Sequence, residues 1–174
     1  MQTAFSLARQ KVMFTAMKIR PELKDANPLP DIDLVFSIRA GSEFLALIAP
    51  EMRSFLYKQG DQQTTDSDEP GLTVLRFPEL GTQHIKKEIV GAATTVHYGV
   101  GEVNGKSTDI EIDDSTVDSF TIDPMEGGTI LLGFRVRCKP SGEENGRLTL
   151  ILGREVELTV QPPVDPQQGL GFDD

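Results

Sequence analysis

Residues 129–139 fix one piece of local geometry: Phe134, Val136 and Cys138 alternate with Arg135, Arg137 and Lys139. Side chains at period 2 fall on opposite faces of a strand, so this segment has an apolar face and a cationic one. The alternation recurs along the chain. It predicts strands at 11–20, with Val12, Phe14 and Ala16 on one face, and at 32–39. Further strands follow at 72–77, 85–98, 108–112, 117–122 and 129–139. Residues 155–160 complete the core, with Val156, Leu158 and Val160 inward. Asn104-Gly105 is the strongest hairpin signal, because both positions accept positive φ.

Two helical stretches interrupt this pattern. Ser42 is placed to cap the first, over 42–57. Phe44, Leu47 and Ile48 fall on one face, and Pro50 opens a second turn carrying Met52, Phe55 and Leu56. Ser141–Glu144 is a capping box, followed by Leu148, Ile151 and Leu152 at helical spacing and Gly153 as terminator. Gly146 and Thr149 weaken that helix, which leaves a strand as the alternative over 142–152. The expected fold class is α+β: a mainly antiparallel twisted sheet or partly closed barrel with two covering helices.

A length of 174 residues suits one domain with a real core. The domain is expected over 11–160, with a flexible N-terminus at 1–10. A polar loop is expected at 59–71 and a disordered acidic tail at 161–174. No apolar run approaches the length of a membrane helix, and the start lacks a signal-peptide core. The expected setting is therefore the cytoplasm, away from membranes.

The net charge of −10 is unevenly spread. Residues 1–60 carry 8 basic and 6 acidic side chains, 61–130 carry 4 and 14, and 131–174 carry 5 and 7. This predicts a two-faced surface, basic in one place and acidic in another.

The chemistry-bearing residues are sparse. Cys138 is the single cysteine, which excludes a disulfide framework and multi-cysteine metal sites, and it reads as a small core residue. His84 and His97, the only histidines, lie in no recognised motif, so no catalytic residues are assigned and an enzyme is the least favoured class. The glycines of 99–105 miss nucleotide-loop spacing and precede a strand, so they read as turn residues. No cofactor or metal is expected.

Two surfaces are candidates for binding. Arg135, Arg137 and Lys139 repel one another, so their face should be open to water or to an anionic partner. Lys11, Lys18 and Arg20 extend it if the first strand pairs nearby. Single-stranded DNA would need these phosphate contacts plus aromatic stacking, for which Tyr57 and Tyr98 are the candidates, since most phenylalanines fall on apolar faces. Asp109, Glu111 and Asp113 alternate on one acidic strand face, either simply solvated or meeting a basic protein partner.

The Pro/Gln/Gly-rich end with Leu170, Phe172, Asp173 and Asp174 resembles the acidic tips of single-strand-binding proteins, which recruit replication partners. Several patches resemble an uncharacterised family of tailed-bacteriophage proteins: Arg20-Pro21-Glu22-Leu23, the six residues from Leu75 to Leu80, Glu126-Gly127-Gly128-Thr129, and the six from Gly153 to Leu158. That resemblance implies a small phage protein in a bacterial host cell and transfers no site residues.

The leading expectation is a non-enzymatic protein of DNA metabolism. It would bind single-stranded DNA through Arg135, Arg137, Lys139, Lys11, Lys18, Arg20 and Tyr98, with the tail recruiting partners. The alternatives are a protein-interaction module, such as an inhibitor of a host defence or nucleic-acid enzyme, and a virion or assembly protein.

Overall fold

The computed structural model describes residues 5–21, 29–60, 71–99 and 102–164. Its centre is a closed barrel of six antiparallel strands. β1 (Leu7–Arg20) pairs with β2 (Asp31–Gly41), β2 with β10 (Thr129–Cys138) and β10 with β9 (Ile110–Met125). β9 pairs in turn with β6 (Ile89–His97), β6 with β11 (Glu155–Gln161), and β11 returns to β1. The remaining strands are short. β5 (Gln83–Ile85) adds to β9 where β6 leaves it; β3 (Tyr57–Gln59) pairs with β4 (Leu72–Leu75), and β7 (Glu102–Val103) with β8 (Lys106–Ser107).

The predicted alternation places the apolar residues inside. Val12, Phe14, Leu34, Phe36, Val96, Ile122, Phe134, Val136, Val156, Leu158 and Val160 are all buried. Phe5, Phe120 and Phe134 meet edge-on or stacked, with centroids 4.9–6.1 Å apart. Side chains therefore fill this barrel, as expected for one of its small size. Phe5 is fully buried and β1 begins at Leu7, so residues 5–10 belong to the fold and not to a loose N-terminus.

Each end of the barrel is closed by helical structure. At one end, α2 (Gly142–Ile151) buries Leu148 and Ile151. Its capping box forms as the sequence predicts: Ser141 Oγ accepts from the Glu144 amide at 3.2 Å, and Glu144 Oε2 accepts from the Ser141 amide at 2.8 Å. Gly153 then takes φ +80 and donates its amide to the Phe14 carbonyl at 2.8 Å. That contact lies beside the β1 bulge between Phe14 and Ala16, which turns Ala16 outward and leaves Met17 against the core, against the predicted face.

The opposite end departs further from the sequence reading. Residues 42–57 are not one helix but a 3-10 turn (Ser42–Leu47), a short α1 (Met52–Leu56) and the start of β3. Gly41 is the N-cap; Ser42 does not cap, and its Oγ accepts from Arg53 Nε at 3.0 Å. Tyr57 is fully buried, which removes it as a stacking platform. Its hydroxyl lies 2.8 Å from the Met125 and Thr129 carbonyls and accepts from the Met125 amide at 3.0 Å, locking the β9–β10 turn. That turn holds Gly127 and Gly128 at φ +91 and +78, and a Cβ on Gly128 would stand 2.9 Å from the Leu72 carbonyl.

The strands predicted at 108–112 and 117–122 are one continuous β9, and that predicted at 85–98 is split between β5 and β6. Asn104-Gly105 forms its hairpin turn with φ +53 and +74. Most of the predicted 59–71 loop, and the tail from 165 onward with Phe172, Asp173 and Asp174, lie outside the described residues.

Candidate functional site

The strand β10 carries Arg135 and Arg137 on its outer side, as the alternation requires, with Cys138 facing in and Lys139 exposed just past its end. The face is not an open cationic stripe, however, because neighbouring strands supply carboxylates. Arg135 donates twice to Asp118 of β9, Nε to Oδ1 at 2.7 Å and Nη2 to Oδ2 at 3.0 Å. Arg137 places Nε 3.0 Å from Asp118 Oδ2, close enough for an ion pair though not aligned as a hydrogen bond, and donates Nη2 to Glu88 at 3.1 Å.

On the other side lies β2. Its Asp33 is only 3% exposed and accepts from Arg20 Nη2 at 2.7 Å, with Arg135 Nη1 3.7 Å away. Lys139 pairs with Asp31 at 3.8 Å. The first strand does lie near β10, as the DNA reading needs. What stands between them is a row of aspartates.

These contacts favour the ionised form of Asp118. Burial alone would raise the Asp118 pKa, but the Arg135 hydrogen bonds and the charges of Arg135 and Arg137 outweigh it and hold the carboxyl below its usual range. The Asp118 hydrogen bond raises Arg135 in turn. Beneath the row, burial first, then Asp33, Glu144 and Asp31, push the Cys138 thiol up to about 12, so it is no nucleophile. Arg20, Arg137 and Lys139 share a concavity of about 380 Å³ with Asp31, Asp113 and Asp114. The charges are interleaved there, so the β10 face is not the uniformly basic one expected from the alternation.

The other predicted residues scatter. Lys18 and Glu111 are exposed on β1 and β9. Lys11, Tyr98 and Asp109 line a second concavity, of about 570 Å³, with Arg9, His97 and Glu157. Asp109 is not a free acidic face, since its Oδ2 accepts from His97 Nδ1 at 2.9 Å. His97 Nε2 stands 2.7 Å from Thr159 Oγ1, and Arg9 N donates to that oxygen at 3.1 Å. Sequence reading missed this cluster because its members come from β1, β6, β11 and the segment before β9, with no shared motif.

A third feature involves Phe55, expected on a helix face with Met52 and Leu56, and two residues to which the sequence assigned no side, Phe77 and Leu80. Phe55 of α1 and Phe77 after β4 are 54% and 46% exposed, with rings 5.6 Å apart, and Leu80 beside them is 45% exposed. Arg76 fixes the patch by donating Nε to the Ser54 and Tyr57 carbonyls at 2.8 and 3.2 Å. No family model, curated protein or solved structure matches the chain, so function rests on these sites alone.

Proposed function

We propose that the protein is an interaction module that docks a partner protein through the Phe55–Phe77 patch. The observation that carries this reading is a pair of touching aromatic rings held half-exposed on a fixed support. Such a patch stays wet at a cost in the free protein, and aromatic side chains dominate interface energetics. Carboxylates lie beside it, along with Arg53 and Arg76. Glu51 precedes Phe55 by one helical turn, Glu79 follows Phe77, and Glu126 Oε2 lies 3.5 Å from the Leu75 amide. A partner with an apolar pocket and a basic rim complements this.

Single-stranded DNA on the β10 face is less well supported, because phosphates would have to displace Asp31, Asp33, Asp118 and Glu88 from their own cations. Recruitment by Phe172, Asp173 and Asp174 stays an independent proposal. The phage resemblance makes a bacterial lysate the place to look for the partner. Proteins captured by the wild type should be lost with Phe55→Ser/Phe77→Ser, whose melting temperature should stay near the wild-type value. An unchanged set of captured proteins would sink the reading.

A further inference from the structure

Going beyond that reading, we propose that Thr159, His97 and Asp109 form a nucleophilic site for carboxylic esters, with His97 and Asp109 lining the concavity they share with Arg9, Lys11 and Tyr98 and half-buried Thr159 hydrogen-bonded behind His97. The geometry is a hydroxyl hydrogen-bonded to an imidazole that a carboxylate orients, the arrangement shared by covalent hydrolases. Proton placement follows from the partners. A carboxylate only accepts, so His97 Nδ1 carries the hydrogen shared with Asp109 at 2.9 Å. In the neutral ring this leaves Nε2 as an acceptor, 2.7 Å from Thr159 Oγ1. Arg9 N already donates to Oγ1 at 3.1 Å, so the hydroxyl hydrogen is left to point at Nε2. The Thr159 oxygen thus has its proton aimed at a base and a lone pair unspent.

Backbone geometry supports a special role for this corner. Arg9 is not glycine yet holds φ +46, at the β1 bulge between Leu7 and Gln10. Left-handed backbone at such a residue costs free energy and collects where function needs it. Here the bulge delivers the amide that orients Thr159. Its side chain reaches the rim, where Nη2 pairs with Glu157 at 2.8 Å. Lys11 adds a second cation to the lining of that concavity.

The step balances with water alone. Thr159 Oγ1 bonds to the ester carbonyl carbon and its proton passes to His97 Nε2, with Asp109 holding the imidazolium. The C–O bond to the leaving alcohol breaks, and that alcohol takes the proton. Water then attacks the threonyl ester, again giving its proton to His97, and the carboxylic acid leaves with Thr159 restored.

The test is to incubate the intact protein with p-nitrophenyl acetate, follow nitrophenolate release, and locate the acetyl adduct by peptide mass spectrometry. Acetylation of Thr159 is expected. It should be absent in Thr159→Val and reduced roughly a hundredfold or more in His97→Gln, the scale of a lost general base. Thr159→Ser should retain activity with a less hindered hydroxyl, which guards against reading a folding defect as a catalytic one. Adducts on lysines only, no adduct, or equal rates in His97→Gln would overturn the proposal.

Discussion

Asp118 shows how one side chain can decide the character of a face. It accepts two hydrogen bonds from Arg135 and stands 3.0 Å from Arg137, so replacing it leaves Arg135 with only the more distant Asp33 and Arg137 with only the exposed Glu88. Asp118→Asn should lower stability by about 2 kcal/mol, the usual scale for a hydrogen bond to a charged group, read as a lower urea midpoint. The pH dependence has a definite sign. The folded-state pKa lies below the unfolded one, so the contribution is present above about pH 4 and is lost as pH falls through the folded value. Urea midpoints measured from neutral pH into acid should fall less steeply for the Asn variant, and parallel curves would contradict this. The outward side of Arg135 and the inward side of Cys138 were legible from period 2 alone. That Arg135 would meet Asp118 was not, because strand register is set by packing between segments far apart in sequence.

At the scale of elements, local rules succeeded where the partner groups lie within a few residues. The capping box of α2 is one case, and Ser141→Ala should cost about 1 kcal/mol. That corresponds to a fall of roughly 2–4 °C in Tm for a chain of this size, checked by thermal denaturation. The first helix failed for an equally local reason. Ala49 precedes Pro50, which disfavours helical backbone before it, and Arg53 occupies the Ser42 hydroxyl. The chain breaks there, and Phe55 lands outside. β9 was read as two strands because Asp113-Asp114-Ser115 looks like a turn. Asp114 and Ser119 instead take φ +52 and +54 within one long strand. Such kinks let a strand change neighbours along its length, and β9 serves β6 with one part and β5 with another.

For the whole molecule, the charge counts of three sequence segments did not foresee how charges meet across β9 and β10. The acidic segment contains β9 and the basic stripe is β10, and a hairpin sets them side by side with Arg135 opposite Asp118. Adjacent strands mix what the sequence keeps apart. Labelled single-stranded oligonucleotides should accordingly show no saturable anisotropy change with the wild type at low salt, where phosphate contacts are strongest. A tight, salt-sensitive isotherm would restore the DNA reading. The Thr159 cluster was illegible for the related reason that its members converge only when the ring of strands is complete. That ring is completed by β1 and β11, whose Arg9 and Glu157 are 148 positions apart. β2 can pair with β1 once residues 31–41 have emerged from the ribosome. The other edge of β1 must wait, unpaired and flanked by Val12 and Phe14, until residues 155–161 emerge. Open strand edges invite wrong pairing. The nascent chain, and not the finished barrel, is therefore where this protein is most exposed to aggregation and most in need of a chaperone.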